Sequence, residues 1–540
     1  MNNIKIVATN AYRTTSTDQS VLVAALLDPA VYGPSVDRVE KLETHISYLF
    51  LAGPKVYKVK KAVNLGFLDF STLAQRHLYC LEELRLNRRL APALYLDVVP
   101  ITGSYQHPRL GGPGAPIEFA VKMHRFAQDN LLDSLCARNR LTRAHIDQLA
   151  DKIAAFHGSA AAAGGTDTYG IPDAIRQPAL ENFVQIRGAR SATLMPESLD
   201  LLEQWTVHQC DTLDAVFRTR KAGAFVRECH GDLHLGNIAM VQNEVTIFDC
   251  LEFNANLRWI DVMSEAAFLT MDLHSRSQPR LAQHFINRYL EISGDYAGLA
   301  VLRFYMVYRA MVRAKVHALR AEQTEMGAPQ RAAAHAQYRN YLDLARQQTH
   351  APRPAIVITH GLSGSGKTTH TENLLAATAA IRVRSDIERK RLQGLPALAR
   401  SNSEIAAGLY GPDTSNRTYA RLASVATATI EAGYTAIVDA TFLHRQQREK
   451  FRRLALELNV AFLILDFTAP EAALRSRVAA RQQLGGDASE ADVAVLEHQL
   501  QTQQPLQTDE ASYVVRIDAM QAPSDVCWES VLDRLNVASQ

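Results

Sequence analysis

Residues 227–256 carry polar side chains at spacings that could do chemistry. Residues 230–237 read H-G-D-L-H-L-G-N, and Asp249 follows an apolar run that is interrupted by a turn at Asn243-Glu244. This pattern predicts a short hairpin that brings Asp232, Asn237 and Asp249 to one end. A carboxylate that accepts a hydroxyl proton, together with an amide oxygen and a second carboxylate that hold Mg²⁺, is what phosphoryl transfer requires. An isolated H-x-D would indicate an ordinary polar loop, but the complete spacing favours a phosphoryl-transfer centre.

The motif H-G-D-L-H-x-x-N, followed by I-F-D, resembles the aminoglycoside phosphotransferase and choline kinase branch of the kinase-like fold. The resemblance extends over most of residues 35–345. It implies a two-lobed domain with ATP in the cleft, with Asp232 as catalytic base and with Asn237 and Asp249 as metal ligands. It leaves the acceptor open, because this fold hosts many acceptors.

A second chemical pattern lies at residues 361–368, which read G-L-S-G-S-G-K-T. An apolar strand precedes it and a helix follows, which is the context in which G-x-x-x-x-G-K-[ST] binds phosphates. Its glycines allow backbone N–H groups to face the phosphates, Lys367 would reach the β- and γ-phosphates, and the Thr368 hydroxyl would bind Mg²⁺. The predicted nucleotide-binding residues are Gly361, Gly364, Ser365, Gly366, Lys367, Thr368 and Thr369.

The strands and helices that follow resemble those of the compact P-loop kinases, which include polynucleotide 5′-kinases, gluconate kinases, chloramphenicol phosphotransferases and zeta toxins. By that resemblance, Asp386 is the candidate base and Arg389 contacts the acceptor or a phosphate. Asp439 would join the Mg²⁺ shell, and Arg477 and Arg481 would close over the transferring phosphate. Guanidinium groups suit the charge that develops on phosphoryl oxygens. The alternatives are a helix cap for Asp386 and a solvated helix face for the arginines.

The N-terminal site needs a lysine that a small lobe must position. Residues 44–51 and 55–63 predict two strands joined by a turn at Gly53-Pro54, and Lys58 and Lys60 share one face of the second strand. A kinase lobe places one such lysine on the α- and β-phosphates and braces it with a helix glutamate. Lys58 is the predicted lysine, with Lys60 as the alternative. A solvated basic edge strand is the other interpretation.

The helix predicted at residues 71–90 offers the brace. Glu83 is the predicted partner of the lysine, and Glu82 is the alternative. Further along, a helix at residues 141–163 places His157 in a packing or surface position. The segment R-W-I-D-V at residues 258–262 resembles the one in which an aspartate, here Asp261, steadies the catalytic loop of the family. The resemblance therefore implies a structural and not a catalytic role for Asp261.

Length and composition limit the possible protein classes. At 540 residues, two or three domains are expected, and 47% hydrophobic with 21% charged residues indicates a globular chain. A formal net charge of +2 gives no general reason for a nucleic-acid or membrane partner. Six scattered cysteines without C-x-x-C spacing argue against zinc and disulfides. With no signal or membrane-spanning pattern, a cytoplasmic protein is predicted.

The sequence as a whole predicts a multidomain α/β protein. A linker at residues 349–354 separates a two-lobed, kinase-like α+β domain (1–349) from a P-loop α/β domain with a parallel sheet (350–540). The combination resembles the bacterial fusions labelled bifunctional aminoglycoside phosphotransferase/ATP-binding protein. It predicts an enzyme that uses ATP and Mg²⁺ at two sites and phosphorylates small-molecule hydroxyl groups.

Two other functions stay open. One domain, more readily the C-terminal one, could hydrolyse ATP as a regulatory switch. The C-terminal domain could instead phosphorylate polynucleotide 5′-ends, although the near-neutral charge makes a nucleic-acid partner less favoured. The acceptors, any exchange between the two sites and the oligomeric state are not determined by the sequence.

Overall fold

The computed structural model describes residues 18–66, 68–323, 326–350, 352–397, 412–484, 489–523 and 525–537. Within these ranges an antiparallel sheet and a helical lobe are followed by a parallel sheet covered by helices, so the predicted α/β fold class is confirmed. Every helix in the described ranges is too short or too polar to cross a membrane.

The first lobe is a six-stranded antiparallel sheet with the strand order β1-β2-β3-β6-β4-β5. Its turn at Gly53 has a φ of +55°, and Thr72 opens the following helix with a capping box. Strand β3 pairs with β2 on one side and β6 on the other, so the edge-strand interpretation of its lysines is wrong. The elements are α1 (Asp18–Ala25), β1 (Val39–Glu43), β2 (Ser47–Ala52), β3 (Lys55–Lys60), α2 (Leu73–Asn87), β4 (Tyr95–Gly103), β5 (Pro108–Leu110) and β6 (Glu118–His124).

The second lobe is mainly helical, and a short hairpin follows its H-G-D-L-H-L-G-N segment at residues 230–237. The hairpin turn lies at Gln242 and Asn243, whose φ values are +52° and +64°, one residue earlier than predicted. The elements are α3 (Leu132–Ala137), α4 (Arg143–Ser159), α5 (Pro172–Arg187), α6 (Pro196–Thr212), α7 (Asp214–Ala222), β7 (Val226–Glu228), β8 (Ile238–Val241), β9 (Glu244–Ile247), β10 (Trp259–Asp261), α8 (Val262–Ser275), α9 (Pro279–Ser293), α10 (Leu299–Ala321) and α11 (Ala328–Thr349).

The C-terminal part is built on a parallel sheet with the strand order β12-β13-β11-β14-β15. Its central strand is fully buried because helices cover both faces, as parallel sheets require. The elements are β11 (Ala355–His360), α12 (Lys367–Thr378), β12 (Ile381–Arg384), α13 (Ser385–Arg391), α14 (Pro412–Glu431), β13 (Ala436–Asp439), α15 (Arg445–Glu457), β14 (Ala461–Thr468), α16 (Glu471–Leu484), α17 (Val493–Thr502), β15 (Val514–Asp518) and α18 (Glu529–Val537).

One apolar core continues from the helical lobe into the C-terminal part. Phe285 and Tyr296 of the lobe belong to the same buried cluster as Ile381, Val383 and Leu422. Helix α9 packs against α4 on one side and against α12 and β12 on the other. The two parts are therefore packed together through buried side chains, although only residues 350–354 join them along the chain.

Candidate active sites

Residues 230–237 form the candidate catalytic loop, called the catalytic loop below, and bring Asp232 and Asn237 into contact. The Asn237 side-chain amide donates to Asp232 Oδ2 over 2.9 Å, and His230 Nε2 lies 2.9 Å from the carbonyl oxygen of Phe248 on the other arm of the hairpin. Because Nε2 faces a carbonyl acceptor, it carries the proton, and Nδ1 accepts from the Asp232 N–H at 3.3 Å. The histidine thus joins both ends of the hairpin and orients the backbone of the candidate base.

Asp249 follows the hairpin in a left-handed conformation, with a φ of +63°. This conformation is uncommon for a residue with a side chain and costs free energy, so its retention often marks a functional position. The hydroxyl of Tyr95 accepts from the Asp249 N–H at 3.2 Å, and Lys58 Nζ lies 2.6 Å from Asp249 Oδ1. A lysine of the first lobe therefore meets the aspartate of the second lobe across the cleft.

The choice between the two glutamates of α2 follows from their contacts. Glu83 Oε1 lies 2.8 Å from Lys58 Nζ, whereas Glu82 lies 2.7 Å from each of Arg85 and Arg258. Burial alone would lower the pKa of Lys58, but Asp249 and Glu83 raise it well above its usual value, so this lysine is charged. The geometry favours Lys58 with Glu83 over the alternatives, and their role at the phosphates stays a prediction.

Lys60 contacts Glu83, as Lys58 does, and also contacts Glu252, which the sequence did not identify. Its side chain is fully buried, with Nζ 2.7 Å from Glu83 Oε2 and also paired with Glu252. Its ammonium lies 5.0 Å from the centre of the Phe70 ring. The only sequence signal for Glu252 is its position three residues after Asp249. Lys60 therefore contacts the Glu83 oxygen that does not face Lys58, and Glu252 is a second partner of Lys60.

Replacing Lys60 with Met should lower the free energy of unfolding by about 3 kcal/mol, because two buried carboxylates would lose their shared cation. Urea unfolding of the intact chain measures the difference. Lys61→Met is the matched control, since its partner Glu43 is at the surface and the pair contributes at most about 1 kcal/mol. Equal losses in the two variants would contradict a structural role for Lys60.

Glu265 supports the catalytic loop, and the sequence did not identify it. Its carboxylate accepts from the backbone N–H groups of His230 and Gly231, at 3.1 and 2.7 Å, and lies 2.9 Å from His157 Nε2. Burial opposes ionisation, yet the hydrogen bond with His157 lowers the pKa of Glu265 to about 2. His157 is thus a buried partner of the loop's support, not a surface residue.

Asp261 has structural contacts, but they lie outside the catalytic loop that the resemblance would have it steady. Asp261 instead accepts from Arg220 over 2.6 and 2.8 Å and caps α8 through the Met263 N–H. It is the first residue before α8, whereas Glu265 lies one helical turn further on and faces the loop. The resemblance pointed to residues 258–262, whereas the carboxylate that contacts the loop belongs to Glu265 and is positioned by the rotation of α8.

The first site offers the oxygen ligands that Mg²⁺ prefers. Asp249 presents a carboxylate, and Asn237 presents its amide oxygen because its nitrogen donates to Asp232. Partial burial would raise the pKa of Asp232, but His234, whose Nε2 lies 3.4 Å away, lowers it. Asp232 is therefore ionised at neutral pH, the state that a proton acceptor requires.

The phosphate loop of the C-terminal part has the conformation that its glycines permit. Gly361, Gly364 and Gly366 have φ values of +141°, +83° and +76°. A side chain at Gly361 or Gly364 would also meet a backbone oxygen, at 2.7 Å in Phe467 and at 2.9 Å in Leu474. These positions therefore require glycine for both conformation and space.

Lys367 and Thr368 begin α12 at the end of this loop. Lys367 Nζ donates to the carbonyl oxygens of Gly361 and Leu362, both at 2.9 Å, and the Thr368 hydroxyl donates to Asp439 Oδ2 at 2.6 Å. A threonine hydroxyl beside a carboxylate is a donor set that fits Mg²⁺. Desolvation in the loop lowers the pKa of Lys367 to about 8.

The remaining C-terminal candidates surround one cavity of about 380 Å³. Arg389 lies 3.3 Å from Asp386 Oδ1, and Arg477 donates to the carbonyl oxygens of Gly364 and Ala519. The predicted residues that line the cavity are Gly364, Gly366, Lys367, Thr368, Thr369, Asp386, Arg389, Asp439, Arg477 and Arg481. Gly361 and Ser365 shape the loop beneath it. Arg384, Tyr419 and His444 also line it, and the sequence did not single them out.

Two family models match the chain in these two regions. The phosphotransferase enzyme family matches residues 67–305, and the AAA domain matches residues 356–506. This chain joins a phosphotransferase-family domain to a P-loop domain. Uncharacterised proteins of Mycobacterium bovis and Mycobacterium tuberculosis are each 28% identical to it over 458 residues, which cover 85% of this chain and 89% of theirs.

Two solved structures match parts of this chain. An amicoumacin kinase in complex with AMP-PNP, Ca²⁺ and Ami is 15% identical, and the match covers 61% of this chain and 94% of the other, with a TM-score of 0.39. A gluconokinase from Sinorhizobium meliloti 1021 is 19% identical and covers 35% of this chain and 95% of its own, with a TM-score of 0.25.

Proposed function

We propose that this protein transfers the γ-phosphate of ATP to hydroxyl groups of small molecules at two separate sites. The observation that carries the proposal is the arrangement in the phosphotransferase domain. Asp232 contacts Asn237, and Asp249 pairs with Lys58 across the cleft. A proton acceptor, two oxygen ligands for a metal and a phosphate-binding cation are thereby held together, as phosphoryl transfer needs.

In the phosphotransferase domain, Asp232 orients the acceptor hydroxyl and takes its proton as the oxygen attacks the γ-phosphorus. The new P–O bond forms while the bond from the γ-phosphorus to the β–γ bridging oxygen breaks, and ADP leaves with that oxygen. Mg²⁺ supplies positive charge to the phosphate oxygens when it is bound. Lys58 would hold the α- and β-phosphates, and Glu83 keeps that lysine in place.

In the P-loop domain, the same reaction would use Asp386 as base. Its neighbour Arg389 and the lid residues Arg477 and Arg481 line the same cavity as Lys367. Cations on several sides of a phosphate stabilise the charge that spreads over its oxygens. A domain that only hydrolysed ATP as a switch would not need an Asp386–Arg389 pair.

Transfer of labelled γ-phosphate tests the function. The intact chain, supplied with γ-labelled ATP, Mg²⁺ and a small-molecule cell extract, should yield labelled organic products. Asp232→Asn should remove one class of product and Lys367→Ala another. The intact chain is used because the domains share a buried core.

Three outcomes would change the assignment. Full transfer by the Asp232→Asn/Lys367→Ala double variant would overturn it. Free phosphate as the sole product of the Asp232→Asn variant would favour an ATP-hydrolysing switch in the P-loop domain. Label that appears only on added oligonucleotides, with binding that weakens steeply with salt, would favour polynucleotide 5′-end phosphorylation.

A further inference from the structure

Helix α9 of the phosphotransferase domain has a stripe of buried polar residues. Gln283, Asn287 and Glu291 follow one another at four-residue spacing, so they lie on one face of the helix. They are only 7%, 2% and 3% exposed. Polar groups are stable in such positions only when they are hydrogen-bonded or paired with a charge. The partners of this stripe therefore show what the helix is built to contact.

The amide side chains of the stripe satisfy the edge of the P-loop sheet. Strand β12 lies at the end of that sheet, and within the described ranges no further strand pairs with its outer N–H and C=O groups. Asn287 Oδ1 accepts from the Arg382 N–H at 2.7 Å, and Asn287 Nδ2 donates to the carbonyl oxygen of Ala380 at 3.1 Å. Gln283 donates to that same oxygen. These side chains occupy the position of a further strand.

Glu291 faces two arginines that extend toward the P-loop site. Its carboxylate oxygens lie 3.6 Å from Arg382 Nη2 and 4.0 Å from Arg384 Nη1. Arg382 Nη1 donates to the carbonyl oxygen of Thr368 at 3.0 Å, and Arg384 lines the nucleotide cavity two residues before Asp386. A carboxylate of the first domain is therefore connected to the Mg²⁺-binding turn and to the acceptor side of the second site.

We propose that Glu291 is a positioning residue of the P-loop site, supplied by the phosphotransferase domain. The proposal rests on the function proposed above, in which the P-loop binds Mg²⁺-ATP. Arg382 is 5% exposed, and Glu372 of α12 lies 3.2 Å from its Nη1. Removal of the Glu291 charge leaves this buried guanidinium with less compensation. Arg382 then holds the first turn of α12 less firmly, and the nucleotide binds more weakly.

Calorimetric titration of the intact chain with Mg²⁺ and a non-hydrolysable ATP analogue tests the proposal. Lys367→Ala identifies which binding event belongs to the P-loop. Glu291→Gln should weaken that event about tenfold and leave the other unchanged. Glu291→Asp keeps the charge on a shorter side chain. Its affinity for the analogue at the P-loop should lie between the affinities of wild type and Glu291→Gln. It also provides the decisive comparison if Glu291→Gln does not fold.

Arg303→Gln is the matched interface control. Arg303 donates to the carbonyl oxygen of Gly433 at 3.3 Å and lies over the Tyr434 ring, so it joins the same two domains away from the nucleotide cavity. In a double-mutant cycle, Glu291→Gln and Arg382→Gln should be non-additive.

The outcomes separate the inference from the function on which it rests. Wild-type affinity in both Glu291 variants, with the Lys367-dependent event intact, would overturn the positioning role alone. The same holds if Arg303→Gln weakens binding as much as Glu291→Gln, because loss of docking would then explain both. If Lys367→Ala removes no binding event, the P-loop function and the inference fall together.

Discussion

At the site that contains Asp232, the Asp232→Asn variant should transfer phosphate about a thousandfold more slowly than wild type. This is within the range expected when a general base is lost. Asparagine keeps the size and position of the side chain, and it can still contact Asn237. The neutral amide of asparagine, however, cannot accept the proton of the acceptor hydroxyl. The affinity for Mg²⁺-ATP should therefore change little while the turnover number falls.

This variant is measured most clearly in a Lys367→Ala background, where only the phosphotransferase domain remains active. Labelled product formed per unit time gives the turnover, and calorimetry gives the nucleotide affinity. Asp211→Asn is the matched control, because Asp211 pairs with Arg176 at the surface of the same domain. A loss of nucleotide affinity as large as the loss of turnover would contradict the role of Asp232 as base.

The Lys367→Ala variant should bind Mg²⁺-ATP at the P-loop about 30- to 100-fold more weakly, which corresponds to about 2–3 kcal/mol for hydrogen bonds from a charged donor. The ammonium is already held in the loop by the carbonyl oxygens of Gly361 and Leu362. It needs little reorganisation to reach phosphate oxygens. Titration in an Asp249→Asn background, which weakens the first site, isolates this binding event.

The pH dependence of the same binding gives a second signature of Lys367. Desolvation lowers its pKa to about 8 in the free protein, partly offset by Asp439 and Asp386. Bound phosphates favour the charged amine, so the pKa in the complex is higher than in the free protein. Between these two values binding takes up a proton, and affinity falls as the pH rises through about 8. Affinity that rises with pH, or an equal slope in Lys367→Ala, would contradict this account.

The sequence by itself located the two candidate sites because their motifs depend on local rules. The Gly-rich loop at residues 361–366 has positive φ values at Gly361, Gly364 and Gly366, which glycine adopts without steric cost. The turn after β8 brings residues 232, 237 and 249 together because the hairpin between them is short. Both family matches fall on these regions. The same motifs also predicted that a kinase-like α+β domain precedes a P-loop α/β domain.

The tertiary structure decided everything that depended on how distant elements are rotated and packed. Lys58 and Lys60 share a strand face, so only the positions of Asp249 and Glu252 separate their contacts. Glu265 replaces Asp261 at the catalytic loop because α8 turns one carboxylate toward it and not the other.

The polar stripe on α9 is the clearest case. Its spacing is visible in the sequence, but it would equally describe a solvated helix face. Its partners lie roughly 90 to 100 residues further along the chain, in a different domain. Local propensities and motif spacing are properties of short segments, so a single sequence determines them. Which buried charge meets which arginine depends on packing between elements that no short segment contains.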